Sequence, residues 1–377
     1  MKTVGFVGWR GMVGSVLLER MRQEGDFVGI EPVFFSTSQV GLLAPDFGQT
    51  EKQLYGAEDW DRLAEMDVIV TCQGGDYTLK AHHTLRQKGW CGYWIDAAST
   101  LRMKDNAIIV LDPVNRNVID HALERGILDF IGGNCTVSLM LMAIGGLFNA
   151  GVVDWVSFMS YQAASGAGAQ NMRQLIEQMG VLHHSVRNQL HDPAQSILEI
   201  DRVITETMLS SDFPVDCFRG VPLAGSLIPW IDQAFEHGQT KEEWKGGAEC
   251  NKILGNTPFR SPGSIPIDGL CVRVGTLRCH AQGLTIKLKR SLPMDVIQQH
   301  IVQANSWVQW VENTREASEK HLSPAAISGS LNVPVGRVHS LAMGPEYLGV
   351  FTVGDQLLWG AAEPLRRMLR IILLSGK

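Results

Sequence analysis

The residues best placed to do chemistry are a cysteine and a histidine that lie far apart in the sequence. Cys135 follows two glycines and an asparagine, and a long apolar run with a helical pattern begins at about Thr136. This arrangement predicts that Cys135 lies at a helix N-terminus, where free backbone N–H groups and the helix dipole favour a thiolate of lowered pKa. His280 lies downstream and is a candidate base for that thiol. The pair indicates covalent catalysis through sulfur.

The first turn of the chain contains glycines spaced for dinucleotide binding. Gly8, Gly11 and Gly14 form a GxxGxxG pattern directly after an apolar strand and at the start of a helical segment. In such turns the glycines let backbone N–H groups approach a pyrophosphate, and the helix N-terminus favours its negative charge. The position of the pattern between a strand and a helix therefore predicts a nucleotide site.

The end of the second predicted strand indicates which cofactor this site prefers. An NAD site usually has an Asp or Glu there, about 20 residues past the glycines, which binds the ribose hydroxyls. Here the strand ends in Ser36, Thr37 and Ser38, so no carboxylate would repel a 2′-phosphate. The hydroxyls and Arg10 are suited to bind that phosphate instead. We therefore predict NADP as the cofactor.

The elements that position these residues follow two patterns. The first third alternates short apolar strands with helical segments, from Thr3–Gly8 and Met12–Glu24 to Ala107–Leu111, which predicts a parallel sheet with right-handed crossovers. From about Val152 onward, longer β-rich runs indicate a mixed or antiparallel sheet covered by helices. The predicted fold class is α/β, with an N-terminal Rossmann-type parallel sheet and a second α+β domain. The last helix, Gly360–Leu374, is expected to pack back onto the first domain.

Composition argues against several other classes of protein. The chain has 377 residues, 45% of them hydrophobic and 19% charged, with a net charge of −6 and no long basic segment, so nucleic acid is not an expected partner. The uncharged stretch from Phe130 to Val153 is rich in glycine, so a strand, a turn and a buried helix explain it better than a membrane span. Seven cysteines without CxxC spacing indicate reduced thiols in the cytoplasm, and no metal site is predicted.

Four separated segments together resemble one enzyme family. They read GFVGWRGMVGSVL, GGNCTVSLM, EEWKGGAECNKIL and GLCVRVGTLRCH, in this order along the chain. With these motifs the sequence resembles bacterial aspartate-β-semialdehyde dehydrogenase from end to end. The resemblance implies an NADP-dependent, phosphorylating enzyme that reduces L-4-aspartyl phosphate to L-aspartate 4-semialdehyde through a cysteine thioester. It also implies a place in lysine (diaminopimelate), threonine and methionine biosynthesis, inorganic phosphate as a further ligand, and a homodimer formed through the second domain.

The resemblance assigns roles to residues that match the motifs of the family. Cys135 matches the nucleophile, His280 the acid/base that handles the thiohemiacetal proton, and Gln162 the residue that orients the acyl group. Arg273 is expected to bind the substrate carboxylate, a task suited to a guanidinium fork. Glu242 is expected to meet the substrate amino group.

The remaining assignments concern phosphate, cofactor and domain boundaries. The residues expected to bind the phosphate are Arg102, Lys245 and Asn134. The positions that match the cofactor site are Gly8, Arg10, Gly11, Met12, Val13, Thr37, Ser38, Gln73, Ser165, Gly166, Pro193 and Gln356. The NADP-binding domain is predicted over residues 1–133 plus 357–377, and the catalytic and dimerisation domain over residues 134–356.

Two questions remain open at the level of sequence. Arg273 and His280 are seven residues apart, so an unbroken strand would direct them to opposite faces, unless Gly275 supplies a bulge or a turn. The nearest alternative activity is that of N-acetyl-γ-glutamyl-phosphate reductase, whose acylated substrate amine would have no use for Glu242. A non-catalytic relative of the same fold is expected to lack Cys135 or His280, and both are present.

Overall fold

The computed structural model describes residues 1–375. The N-terminal part of the chain forms a seven-stranded sheet in which every pairing is parallel. Its strands are Lys2–Val7 (β1), Ile30–Ser36 (β2), Tyr55–Gly56 (β3), Val68–Thr71 (β4), Tyr93–Asp96 (β5), Ala107–Val110 (β6) and Asp129–Gly132 (β7). They lie in the order β3-β2-β1-β4-β5-β7-β6. The predicted Rossmann-type sheet is confirmed.

Helices cover both faces of this sheet, which explains why its strands are apolar on both sides. Alternate residues of β4 enter different cores: Val68 and Val70 pack in one cluster and Ile69 in another. The connecting helices are Met12–Gln23 (α1), Trp60–Ala64 (α2), Gly75–Gln87 (α3) and Asp112–Glu124 (α4). Because the strands run parallel, their carboxyl ends share one edge of the sheet, where ligands bind in folds of this type.

The second sheet also has seven strands but mixes parallel and antiparallel pairs, as expected for the α+β part. Its strands are Val153–Gln162 (β8), Leu227–Ile228 (β9), Ile267–Val274 (β10), His280–Leu288 (β11), Val308–Trp310 (β12), Val333–Leu341 (β13) and Gly344–Gly354 (β14). They lie in the order β12-β13-β14-β11-β8-β10-β9. Its helices are Ala169–Ser185 (α6), Ile197–Met208 (α7), Lys241–Ile253 (α8), Met294–Val302 (α9), Arg315–His321 (α10) and Pro324–Ile327 (α11).

A buried helix, Cys135–Asn149 (α5), connects the two sheets. All its residues from Thr136 to Phe148 are buried, so this helix accounts for the uncharged stretch in the sequence. Among residues 1–375, no helix has the length and apolar character needed to cross a membrane. The first residue of α5 is Cys135, as the sequence predicts.

The last helix, Glu363–Leu374 (α12), returns to the first sheet, which confirms that expectation for the described residues. Leu365 and Met368 pack in the same core cluster as Val4 and Phe6 of β1. A short π-helix, Leu358–Ala362, precedes α12, so the regular α-helix begins later than the pattern suggests. Residues 376 and 377, which belong to the predicted NADP-binding domain range 357–377, lie outside the described residues.

Two adjacent glycines of α5 give a matched test of how tightly this helix is packed. A Cβ on Gly146 would lie 1.8 Å from the backbone oxygen of His300 on α9, whereas a Cβ on Gly145 would meet only Val114 at 3.5 Å. We expect Gly146→Ala to lower the free energy of unfolding by about 1 to 3 kcal/mol or more through overpacking. Gly145→Ala should leave it unchanged or raise it by up to about 1 kcal/mol, because alanine favours helix. Urea unfolding measures both, and equal effects of the two variants would contradict this packing.

Candidate active site

The cysteine lies in a cavity of about 270 Å³ that draws residues from both parts of the chain. α1 and the start of α5 contribute from the N-terminal side, while β8, β10 and α8 contribute from the second sheet. The residues that line the cavity are Met12, Val13, Ser99, Arg102, Gly133, Asn134, Cys135, Gln162, Ser165, Gly166, Ile231, Glu242, Lys245, Arg273, Gln356, Leu357, Gly360 and Ala361. The structure therefore brings most of the predicted site residues together.

The start of α5 is fixed by the residue before the cysteine. The side-chain Oδ1 of Asn134 accepts hydrogen bonds from the backbone N–H groups of Thr136 (3.0 Å) and Val137 (3.1 Å), and so caps the helix. Gly360 leaves room beside the thiol, because a Cβ there would lie 2.7 Å from the Cβ of Cys135. Asn134 thus has a structural task in addition to its predicted place at the phosphate.

Arg273 and His280 belong to two different strands, so the question of opposite faces on one strand does not arise. β10 ends at Val274, one residue before Gly275, and pairs with β8 in parallel, with Arg273 opposite Gln162. β11 begins at His280 and pairs with the other side of β8 in antiparallel fashion. The chain crosses the end of β8 between them. The strand is thus interrupted from Gly275 onward, as in the alternative that the sequence left open, but period-2 alternation does not reveal the crossing of β8.

His280 is fully buried and is not among the residues that line the cavity, but its Nε2 lies next to Gly166, which does line it. Its Nδ1 accepts a hydrogen bond from the backbone N–H of Ala163 (3.0 Å), which assigns the proton of the neutral ring to Nε2. Burial, together with the Arg273 guanidinium, lowers its pKa to about 3. A Cβ on Gly166 would lie 3.0 Å from Nε2 and 2.9 Å from Nη1 of Arg273, so this glycine keeps the space between the two groups open.

Glu242 is a buried, ionised carboxylate at the centre of a polar network. Its Oε1 accepts from Asn134 Nδ2 (2.9 Å) and Gln162 Nε2 (3.2 Å), and its Oε2 lies 3.0 Å from Lys245 Nζ. Burial alone would raise its pKa, but the ammonium and these hydrogen bonds lower it to about 2. The Lys245 ammonium also contacts Asp232 (2.8 Å), and the two carboxylates hold its pKa above the usual value despite burial.

The expectation of a lowered pKa for Cys135 is wrong for the protein without ligands. Burial and the Glu242 carboxylate raise the pKa of the thiol to about 11, while Arg273, Arg102 and Lys245 offset only part of this rise. The helix N-terminus is present as predicted, but the sequence does not show how far the surroundings exclude water. Cys135 and His280 are therefore both neutral in this state.

Arg273 carries a positive charge that the described residues leave unpaired. Its Nη1 donates to the backbone oxygen of Ala163 (2.8 Å), and none of the salt bridges among residues 1–375 involves it. Only 7% of the residue is exposed, and burial lowers its pKa. An unpaired buried cation is costly, so this guanidinium is suited to bind an anion that enters the cavity.

Arg102 is paired with a carboxylate that the sequence reasoning missed. Its Nη1 lies 3.1 Å from Oε1 of Glu249, and its Nε and Nη2 donate to the backbone oxygens of Gly132 (2.6 Å) and Ala97 (3.2 Å). Glu249 lies on α8, seven residues after Glu242, and helix periodicity places both on one face. That spacing is the signal that could have identified it.

The glycine turn has the close packing that a dinucleotide turn requires. Gly8 has a positive φ of 72°, and a Cβ there would lie 2.5 Å from the backbone of Cys72 and Gln73. α1 begins at Met12 with no side-chain cap, so its first N–H groups are available to an anionic ligand. Beside this turn lies a cavity of about 560 Å³. It is lined by Gly8, Trp9, Arg10, Gly11, Phe35, Ser36, Thr37, Cys72 and Gln73.

The hydroxyl groups after β2 divide into one structural and two exposed groups. The Oγ of Ser36 accepts from the backbone N–H groups of Ser38 and Gln39, which forms the turn. Thr37 and Ser38 are exposed, and Nη2 of Arg10 donates to the Ser38 hydroxyl (2.9 Å). None of the residues that line this cavity in the described chain carries a carboxylate.

The remaining predicted cofactor positions fall into two groups. Met12, Val13, Ser165, Gly166 and Gln356 line the cavity of Cys135, and Gln356 accepts a hydrogen bond from the backbone N–H of Cys279 (2.8 Å) and donates to Ser165. The exposed Pro193 is not among the residues that line either cavity, and its cofactor role stays a prediction.

Comparison with known proteins agrees with this geometry. Residues 3–122 match a family model described as the NAD-binding domain of semialdehyde dehydrogenase, and residues 144–359 match one described as its dimerisation domain. The chain is 47% identical to the solved aspartate semialdehyde dehydrogenase from Francisella tularensis, with a TM-score of 0.92 and coverage of 99% of this chain and 100% of that one.

Two more distant solved structures share the fold. Aspartate semialdehyde dehydrogenase II from Vibrio cholerae, solved as a complex with ASA, is 23% identical, with a TM-score of 0.76 and coverage of 100% and 99% of the two chains. The enzyme from Candida albicans, solved with NADP, is 14% identical, with a TM-score of 0.66 over 100% and 99%. Taken with the site geometry and the two matched domains, these similarities show that the chain belongs to the aspartate semialdehyde dehydrogenase family of oxidoreductases.

Proposed function

We propose that this protein is an NADP-dependent, phosphorylating aspartate-semialdehyde dehydrogenase. In the biosynthetic direction it would convert L-4-aspartyl phosphate, a hydride and a proton into L-aspartate 4-semialdehyde and inorganic phosphate. The product would supply lysine (through diaminopimelate), threonine and methionine synthesis. The observation that carries the proposal is the unpaired guanidinium of Arg273 in the cavity of Cys135. It supplies a buried positive charge where the substrate needs a partner for its α-carboxylate.

The opposite charge for the substrate amine is Glu242. This carboxylate remains ionised under all conditions near neutral pH, because its pKa is about 2. A substrate with a free ammonium group gains a charge-assisted contact there. An N-acylated substrate has no such charge, so it would make no charge-assisted contact with Glu242. This difference favours the aspartyl substrate.

The chemistry proposed for Cys135 divides the reaction into two steps. The sulfur attacks the acyl carbon, the bond from that carbon to the phosphate oxygen breaks, the thiol proton leaves with the phosphate, and a thioester remains on the enzyme. Arg102 and Lys245 line the cavity, which supports a role for both cations in holding the departing phosphate. After the thioester carbon is reduced, the carbon–sulfur bond of the thiohemiacetal breaks and releases the aldehyde. The thiol is regenerated.

His280 and Gln162 are proposed to orient the acyl oxygen during these steps. Nε2 of His280 presents an N–H donor, and this fits an interaction with the oxygen that gains negative charge and then a proton. Gln162 is held by Thr136 Oγ1 (3.0 Å) and Ser160 Oγ (3.1 Å), and its side chain lines the cavity. Both groups are buried, so they need no large reorganisation when the reaction begins.

The nucleotide turn fits NADP. When bound, NADPH supplies the hydride to the acyl carbon. The uncapped N–H groups of α1 would hold the pyrophosphate, and Arg10, Thr37 and Ser38 would hold the 2′-phosphate. Met12 and Val13 form the start of α1 and also line the cavity of Cys135. The nucleotide turn and the cysteine site are therefore adjacent.

We further propose a cytoplasmic homodimer. The matched dimerisation-domain model supports association through the second sheet, and the free state of all seven cysteines suits a reducing compartment. The domain boundaries proposed from sequence, 1–133 plus 357–377 and 134–356, place α5 with the catalytic part.

The test of function is the reduction of NADP with aspartate semialdehyde, followed at varied phosphate concentration. We expect turnover that requires phosphate, and none with N-acetylglutamate semialdehyde. Cys135→Ala should abolish this turnover while NADP still binds. Activity of Cys135→Ala at the wild-type rate would exclude the thioester, and a preference for the acetylated aldehyde would exclude the proposed substrate.

Cofactor preference is tested by adding a charge beside Arg10. In Ser38→Asp the new carboxylate would pair with the guanidinium that now contacts the hydroxyl at 2.9 Å, and it would repel a 2′-phosphate. We expect kcat/KM for NADP to fall by about tenfold or more, equivalent to about 1.4 kcal/mol. The value for NAD should change little. Ser38→Ala is the control, since it removes the same hydroxyl without adding charge, and a wild-type enzyme that prefers NAD would refute the assignment.

The proposed division of labour among the cations predicts different kinetic effects. Arg273→Leu should raise KM for the aldehyde and leave the phosphate dependence unchanged, whereas Arg102→Leu should chiefly raise KM for phosphate. Each lost contact to a charged ligand should cost about 2 to 4 kcal/mol. Arg273→Lys should not restore aldehyde use, because an ammonium lacks the planar fork. Initial rates against each substrate give the answer, and the same kinetic pattern for both leucine variants would show that the roles are misassigned.

A further inference from the structure

Glu249 connects the proposed phosphate site to the residue that precedes the nucleophile. Its Oε1 lies 3.1 Å from Nη1 of Arg102, and its Oε2 accepts the backbone N–H of Asn134 at 2.6 Å. The residue is 2% exposed and sits on α8, far in sequence from both partners. The Glu249 carboxylate thus contacts both Arg102, the proposed phosphate-binding cation, and the backbone N–H of Asn134, the residue before Cys135.

Loss of Glu249 would affect Asn134 more than Arg102, because Arg102 has other hydrogen-bond acceptors. Arg102 is also held by the backbone oxygens of Gly132 (2.6 Å) and Ala97 (3.2 Å), so its guanidinium keeps two anchors without Glu249. The short bond to Oε2 of Glu249 is the described hydrogen bond of the Asn134 N–H group. A buried N–H group that loses its acceptor has a substantial cost and tends to move toward another partner.

We propose that Glu249 is a positioning residue that fixes the Asn134–Cys135 backbone and thereby places the thiol for attack on the acyl carbon. The inference rests on the proposed function, and it adds a residue to which that function assigns no role. Because Asn134 caps α5 with its side chain and donates its backbone N–H to Glu249, a shift of Asn134 moves the first turn of the helix. The effect of Glu249 should therefore appear in kcat, not in phosphate affinity.

Two substitutions separate this role from simple charge pairing. Glu249→Gln offers only one acceptor, and the stronger charge-assisted bond keeps that oxygen on Arg102, so an NH₂ group then faces the N–H of Asn134. Glu249→Asp retains the charge but has a shorter side chain that cannot span both partners. In both variants we expect kcat to fall by about tenfold to a hundredfold, as found for small misplacements of reacting groups. KM for phosphate should stay at or below the wild-type value, in contrast to Arg102→Leu.

Glu243→Gln is the matched control. Glu243 lies on the same helix, is 5% exposed and accepts two backbone N–H groups, from Thr240 (2.7 Å) and Cys271 (3.3 Å). Its substitution removes a comparable buried carboxylate but touches no cation of the site. We expect a similar loss in thermal stability with kcat close to that of wild type.

Amide hydrogen exchange provides a readout that needs no substrate. The N–H of Asn134 should exchange about tenfold faster or more in both Glu249 variants, and at the wild-type rate in Glu243→Gln. Wild-type protein without phosphate-dependent turnover would reject the proposed function, while the exchange measurement would still test the position of Asn134. An unchanged exchange rate, a kcat equal to that of Glu243→Gln, or a rise confined to KM for phosphate would each overturn the role of Glu249.

Discussion

The cost of burying charge is the constraint on which this site depends. Arg102 and Lys245 are each largely buried, and each has a carboxylate partner on α8, namely Glu249 and Glu242. Arg273 has a backbone carbonyl instead. An unpaired charge in a poorly solvated place is costly. Of these three described cations, Arg273 is the one without a carboxylate partner, so it bears this cost. Under the proposed function, the substrate carboxylate would pair with this guanidinium, and the pairing would favour substrates that carry a carboxylate.

The same burial sets the resting state of the reactive groups. The thiol of Cys135 has a pKa of about 11 and His280 a pKa of about 3, so neither carries charge near neutral pH. The Glu242 carboxylate contributes to the raised pKa of the thiol. Under the proposed function, the ammonium of the substrate neutralises that carboxylate. Binding of the correct substrate then removes one cause of the low reactivity of the thiol.

Local patterns in the sequence predicted the parts of the fold that local physics decides. The glycine turn before α1 and the helix start at Cys135 are both found at the expected positions, since short-range sterics and N–H satisfaction fix them. The return of α12 to the first sheet was also expected from its apolar face.

Features that depend on distant packing were not accessible in the same way. Arg273 and His280 could not be placed by strand periodicity, because β8 lies between their strands. The pKa of Cys135 could not be inferred from a helix start alone, since it depends on exclusion of water by surrounding elements. The pair of Arg102 with Glu249 joins residues 147 positions apart, which no local spacing encodes.

The return of α12 also determines the order in which the protein can be completed during synthesis. A ribosome that has translated residue 350 has already produced every strand of the first sheet, but not the helix whose Leu365 and Met368 cover one of its faces. Until α12 emerges, that apolar surface stays open to water and to chaperones. The first sheet is thus translated well before the helix that completes the cover of one of its faces.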